Sequence, residues 1–320
     1  MKALACVTLC VVCLVIGVLV PSPLGPGEAE TRLAPATDGA EALSFFAFGR
    51  QGHDERYDPR VSESLERYAD LEPMHFGILL GDIVFPSGVR SIDDPVWGEK
   101  FEQRNGGRNL GGVPFYALLG NHDSYGNVDA MIEYAQRREG TGRFRMGGRY
   151  YSEDFGRVDG RVLARIVFID SVSYLGEDSE SNADEQIAFI REAFNQPGEP
   201  VWRIVAGHHA VASPTQSDLK PHVMIDSLRP VLVELGVDLY LCSDPWFQEV
   251  YQVQGEPLYV ATNGPNDKTE EGMQITTTDD LFVSPQGGFA HVRLDSEEMI
   301  VGMINWAGEV DYTATRSREE

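Results

Sequence analysis

Four short apolar runs in this chain end alike, and that repetition constrains the fold more than any other feature. Leu43 to Phe48, Phe76 to Leu80, Phe115 to Leu119 and Val201 to Ala206 are aliphatic and aromatic, and each is closed by a glycine: Gly49, Gly81, Gly120 and Gly207. Runs of this length bounded by turn residues predict buried strands. Between them lie stretches with helical spacing, such as Pro59 to Leu71, with Val61, Leu65 and Tyr68 on one face, and Asn127 to Arg138. Alternation of this kind predicts an α/β fold whose strand ends gather along one sheet edge and form the ligand-binding crevice.

Further strands are expected at Val162 to Ile169, closed by Asp170, at Val237 to Cys242 and at Leu258 to Thr262. Further helices are expected at Asp93 to Phe101, Asp184 to Phe194 and Ser227 to Leu235. Phe289 to Leu294, Met299 to Trp306 and Glu309 to Thr315 read as antiparallel strands, with Asp295-Ser296 and Ala307-Gly308 as hairpin turns. Asn105 to Gly112 and Thr262 to Gln286 read as long loops. No repeat or second linker interrupts residues 41–316, which form one domain followed by a charged tail at 317–320.

Ala3 to Val20 is apolar or small throughout apart from Thr8, follows Lys2 and stops at Pro21-Ser22-Pro23, the pattern of an export segment. A helix over that run reaches about 27 Å against a hydrocarbon layer of about 30 Å. Residues 1–20 therefore read as a cleaved signal peptide or, alternatively, as a signal anchor, with 21–40 as a linker rich in Pro, Gly and Ala. The protein is expected to be secreted or extracytoplasmic, or membrane-anchored and facing outward under the alternative. Cys6, Cys10 and Cys13 fall in the leader, so a processed chain keeps Cys242 alone and forms no internal disulfide. Cys242 sits in an apolar run and is expected to be a buried, inert thiol. The formal net charge of -24 repels phosphate-rich polymers and argues against nucleic acid as a partner.

Beyond the four strand-closing glycines stand Arg50, Asp82, Asn121-His122-Asp123 and His208-His209. Oxygen and imidazole groups drawn from separate strand ends, with no cysteine among them, suit a borderline or hard divalent ion acting on phosphate. The plainer reading of Asn121 and Asp123 is that they cap a turn.

With these motifs in order, the chain resembles the metallophosphoesterases, and within them the small purple acid phosphatases. The resemblance runs from about Leu43 to Arg316 and is carried by Gly81-Asp82, Gly120-Asn121-His122-Asp123-x-x-Gly126-Asn127, Phe168-Ile169-Asp170, Val205-Ala206-Gly207-His208, Leu228-Arg229-Pro230 and Tyr240-Leu241-Cys242. It implies a four-layer αββα sandwich of two mixed sheets with a two-metal site at the strand ends, where a metal-bound hydroxide attacks a phosphate ester. Asp82 would bridge the ions, Asn121 and His208 would hold the second, and His122 would act on substrate.

The departures from that pattern bear on function. The family's first strand ends in Gly-Asp-x-Gly, whereas this chain has Gly49-Arg50-Gln51-Gly52; the colour-giving tyrosine is Phe85; the closing Gly-His-x-His is Ser243-Asp244-Pro245-Trp246. The first metal position loses three of its four ligands, and Arg50, always protonated, would repel a cation there. A two-metal centre is not expected. One divalent ion, Zn, Mn or Fe, could be held at the second position by Asp82, Asn121, His208 and Asp244. Arg50 and His209 are the candidates for binding a small phosphate ester or oxyanion, and without the ion Arg50 could bridge Asp82 and Asp244. Trp246 is expected to fill the volume left by the lost histidine and metal. Asp123 is expected to orient His122 or buttress the turn, Asp170 to be structural, and His53, His75 and His291 to lie outside any site.

Two functional readings follow. One is a phosphoric ester hydrolase of acid-phosphatase descent, hydrolysing phosphate monoesters with one ion and a weakened or lost rate. The other is a pseudoenzyme that binds an anion, a metal or a protein partner.

Overall fold

The computed structural model describes residues 36–318, apart from 54–56, 179–180, 212, 214, 216–219, 263 and 265–279. The leader and residues 21–35 of the linker lie outside the described residues. From the start the chain forms β1 (Leu43–Phe48), α1 (Pro59–Leu71), β2 (Phe76–Leu80), β3 (Phe115–Leu118), the single turn α2 (Asn121–Ser124), α3 (Val128–Arg137) and β4 (Phe144–Arg145). It continues through β5 (Tyr151–Val158), β6 (Arg161–Phe168), the turn α4 (Ser171–Tyr174), α5 (Ala183–Asn195), β7 (Trp202–Ala206), α6 (Lys220–Glu234) and β8 (Leu239–Cys242). It ends with β9 (Gln248–Gln252), β10 (Leu258–Ala261), β11 (Asp280–Ser284), β12 (Gly288–Leu294), β13 (Glu298–Asn305) and β14 (Val310–Ser317).

These strands make two seven-stranded sheets, in the orders β14-β13-β12-β1-β2-β3-β4 and β11-β9-β10-β8-β7-β6-β5. Each sheet is mixed. In the first, β1 to β4 run parallel while β12, β13 and β14 are antiparallel, with Leu43 opposite Leu294. In the second, β6, β7, β8 and β10 are parallel and β5, β9 and β11 antiparallel. Aromatic rings join the sheets: Phe76 stacks on Phe155 at 4.1 Å, Tyr116 meets Phe155 at 5.0 Å, and the Tyr151 hydroxyl donates to the Ala117 carbonyl at 2.8 Å. Helices cover the outer faces. Val61 and Leu65 of α1 and Met131 of α3 join the core of the first sheet, while Ile190 and Phe194 of α5 and Leu228 and Leu232 of α6 form a second cluster on the other sheet. The expected αββα sandwich is therefore the fold.

Local chemistry explains the helix limits. Asp58 caps α1 by accepting from the Arg60 N–H, and Pro59 opens the helix, where its missing N–H costs nothing. Asn127 caps α3 through the Ala130 N–H at 3.0 Å. The helix expected at Asp93 to Phe101 is instead a series of turns ending in a short π-helical segment, Gly98–Glu102, because the Asp94 side chain accepts from the Arg90 and Val96 N–H groups and competes with helical bonding. α6 begins at Lys220, earlier than its apolar spacing implies. Strands β4, β5, β9 and β11 are additional to the expected set, and β11 lies within the expected loop Thr262 to Gln286. The short or edge strands among them carry little periodic signal. No described helix is long and apolar enough to cross a membrane.

Candidate functional site

The strand ends expected on one edge come from both sheets. β1, β2 and β3 deliver Arg50, Asp82 and Asn121-His122-Asp123; β7 and β8 deliver His208 and Ser243-Asp244. Close backbone approach makes this meeting work. A Cβ on Gly120 would lie 2.3 Å from both the Asp82 nitrogen and its Oδ1, and one on Gly81 would lie 2.6 Å from Gly120 N and His208 Nδ1. Gly81 is in the left-handed region at φ 87°, and so are two non-glycine residues, Arg50 at 60° and Asp82 at 55°, of which aspartate adopts it more readily.

Asp82 is 3% exposed, and its Oδ1 accepts the His122 N–H at 3.1 Å. His208 is fully buried. Its Nδ1 bonds the Leu80 carbonyl at 2.8 Å, which sets Nδ1 as the protonated nitrogen and leaves a lone pair on Nε2. That Nε2 points between Asp82 Oδ1, at 3.7 Å, and Asp244 Oδ1, at 3.9 Å, and makes no hydrogen bond to the described residues. Ser243 Oγ donates to the same Leu80 carbonyl at 2.6 Å, and the Asp244 N–H donates to the His208 carbonyl at 2.9 Å, so β2, β7 and β8 are tied together here. Asn121 is half-buried at the start of α2, with its side-chain amide bonded to none of the described residues.

Arg50, 8% exposed, donates from Nη1 to the Asp244 carbonyl at 2.5 Å and lies 4.0 Å from its carboxylate. Its guanidinium stacks 3.7 Å above the Trp246 ring. The expected bridge to both carboxylates is corrected: Asp82 forms no ion pair with Arg50. Trp246 covers one face of the guanidinium.

His122 contributes its backbone to Asp82, while its imidazole bonds the Pro86 carbonyl at 2.8 Å and packs on Phe85 at 3.8 Å. His53 stacks on the same Phe85 at 4.1 Å, so it reaches the candidate site only through that ring. The sequence carried no signal for that contact. His209 is turned away from solvent, towards Ser171 and the Glu177 carboxylate. It is 4% exposed, with Nδ1 on Ser171 Oγ at 2.9 Å and Nε2 3.6 Å from Glu177. Ser171 Oγ also accepts the N–H groups of His208 and His209, fixing the loop that presents His208.

Asp123 buttresses the turn. Fully buried, it accepts the N–H groups of Ile83, Val84 and Gly120 at 3.2, 2.9 and 3.0 Å. Burial and then the Asp82 charge push its carboxyl up to about 7, against three N–H donors that favour the ionised form. Asp170 accepts the N–H groups of Val172 and Ser173 and pairs with Arg149, which is structural work. Cys242 is buried, and its thiol is pushed well up by desolvation, Glu249 and Asp244, as an inert thiol should be.

The buried lone pair on His208 Nε2 faces two carboxylates, at 3.7 and 3.9 Å, that could take part in holding one cation, while among the described residues no group of three or more His, Cys, Asp and Glu side chains is gathered closely enough to hold a metal ion. A two-ion centre fits these residues still less, because a guanidinium stands at the β1 end.

The fold and this edge define a metallophosphoesterase-type sandwich with a reduced donor set. The profile of the calcineurin-like phosphoesterases matches residues 58–244, and the chain belongs to that family. It is 28% identical over 313 residues to tartrate-resistant acid phosphatase type 5 of Homo sapiens, covering 88% of this chain and 93% of that protein. It is 25% identical over 299 residues to purple acid phosphatase 4 of Arabidopsis thaliana, covering 88% and 84%. Among solved structures it resembles GAP50, described as the anchor in the inner membrane complex of Plasmodium, with a TM-score of 0.71 at 21% identity over 87% of this chain and 89% of that one. It also resembles the purple acid phosphatase PPD1 of yellow lupin (Lupinus luteus) seeds, with a TM-score of 0.64 at 15% identity over 88% and 55%.

Proposed function

We propose that this protein is an exported phosphoesterase-fold pseudoenzyme that has given up two-metal hydrolysis and serves as a binding module for a protein partner. The observation that carries this reading is the Arg50 guanidinium, buried, stacked on Trp246 and tied to Asp244. It is a permanent cation at the strand end where a two-metal enzyme needs a carboxylate. A guanidinium holds oxyanions through directed N–H donors but is not a Lewis acid and generates no hydroxide. Loss of the ion that activates water removes several kcal/mol of transition-state stabilisation, which is orders of magnitude in rate. GAP50 makes the fold compatible with anchoring, as its description states for that protein. The leader at 1–20 supports export, with cleavage or retention deciding between a secreted and a membrane-anchored form.

A second reading has a specific observation behind it. The unbonded Nε2 of His208 between Asp82 and Asp244 favours one divalent ion, with Asn121 as a further oxygen donor, so a slow one-ion phosphoesterase is the competitor. Bound there, the ion would supply a Lewis acid. Asp82 would then be held in place by the His122 N–H, and Arg50 would neutralise a phosphoryl oxygen.

The test is metal content of the purified protein, followed by an aryl phosphate assay across pH with zinc, manganese or iron added. Turnover that vanishes in Asn121→Ala and His208→Ala overturns the pseudoenzyme reading. Absence of turnover together with absence of bound metal overturns the one-ion reading.

A further inference from the structure

A cavity of about 610 Å³ lies beside the candidate site, between the segment containing Ser87 and Arg90 and the turn from Ser124 to Asp129, and Arg149 also lines it. We propose that it binds a neutral pyranose sugar. The assignment goes beyond the function proposed above and does not depend on whether a metal is held at His208.

Size is the first argument. The volume falls in the range of about 300–1,000 Å³ typical of small-molecule sites, but the lining is polar, which disfavours an apolar ligand. Charge is the second. Arg149 Nη1 donates to Asp170 at 2.8 Å and Asp178 at 2.9 Å, and Arg90 pairs with Asp94 through Nε at 3.0 Å. With Asp129 on the wall, two guanidinium charges stand against four carboxylates. A phosphate or carboxylate ligand therefore meets no net positive field.

Donors remain nonetheless. Arg149 Nε and Nη2 make no hydrogen bond to the described residues. Its guanidinium is held by the two aspartates as a fixed fork, so little freedom is lost when it binds. Asp129 offers acceptors, the Ser87 hydroxyl offers both roles, and the Ser124 hydroxyl, which donates to the Gly120 carbonyl at 3.1 Å, offers an acceptor. Such a mixture of fixed donors and acceptors matches the hydroxyls of a sugar, each of which both gives and takes a hydrogen bond.

Tyr125 adds an aromatic surface. It lines the cavity with 61% of its surface in water, and its ring stands nearly perpendicular to that of His122, with centroids 5.5 Å apart. An aromatic face beside polar groups provides a platform for the C–H face of a pyranose while the hydroxyls reach the polar wall.

The experiment uses the full-length protein, with methyl glucoside, mannoside and galactoside titrated by calorimetry and ligand-observed NMR, and an array of immobilised glycans to separate free sugars from glycan chains. Saturable binding to at least one of these is expected, unaffected by inorganic phosphate. Tyr125→Ala should weaken it by about tenfold or more, while Tyr125→Phe should keep it within about threefold. Tyr125 is exposed, so both variants should melt with the wild type, and that control removes misfolding as an explanation. Absence of binding to any pyranoside or glycan, binding that survives Tyr125→Ala, or equal competition by phosphate overturns the assignment.

Discussion

At the scale of single residues, the edge is governed by groups that leave no room for substitution. Gly120→Ala would drive a Cβ into Asp82. It is expected to lower unfolding stability by about 2 kcal/mol or more, read from urea titration, because the main-chain nitrogen and buried carboxylate of Asp82 have no room to retreat. Arg50 sets the electrostatics of the same spot. Arg50→Ala removes a fixed cation beside Asp244 and is expected to tighten zinc or manganese binding by about tenfold in calorimetry. Unchanged metal and anion binding in that variant would rule out Arg50 as a stand-in for the missing ion. The same scale held the largest surprises. Asn121, Asp82, His208 and Asp244 could be nominated from motif positions. Nothing in their neighbours revealed that His209 turns to Ser171 and Glu177, or that His53 and His122 sandwich Phe85, because those contacts depend on how separate loops settle.

At the scale of elements, two joints carry testable consequences. Arg165 of β6 is 2% exposed and bonds Asp154 and the carbonyls of Ala193, Gln196 and Pro197, fastening α5 to the second sheet. Arg165→Ala strands those acceptors and is expected to lower stability by about 3 kcal/mol or more, measured by chemical denaturation. His291 of β12 is bonded to Ser44 and Tyr68, and burial, with Arg293 adding to it, lowers its pKa from 6.5 to about 3. Below pH 6.5 the unfolded chain takes a proton that the folded chain refuses until about pH 3. Stability should therefore fall with acid across that window, by up to ~1.4 kcal/mol per pH unit. His75 is shifted down by burial in the same sense. His291→Gln should flatten the dependence of melting temperature on pH between about 4 and 6; an unchanged slope would assign acid sensitivity to other groups. Most elements could be read from sequence because buried parallel strands are continuous apolar runs and α1, α3 and α5 have one apolar face. The exceptions were the two-residue β4, the edge strands β5 and β11, and β9, whose apolar pattern is short or broken.

At the scale of the whole molecule, the formal net charge of -24 is spread over a single sandwich. Self-repulsion on that surface is screened by salt, since the Debye length falls from about 30 Å at 0.01 M to about 8 Å at 0.15 M. Melting temperature is therefore expected to rise with sodium chloride over that range, and a flat response would mean that local pairs already neutralise the surface. The sequence by itself determined the alternation of strands and helices and the glycine-closed strand ends, because periodicity and turn chemistry act over a few neighbouring residues, and its ordered motifs carried the family resemblance that implied the sandwich. Only the tertiary structure decided how those ends are wired. Arg50 reaches Asp244 across 194 positions of chain, His208 aims Nε2 between two carboxylates, and Tyr125 stands over a polar cavity. Such pairings follow from the angle and depth at which two sheets meet, which no local stretch of sequence encodes.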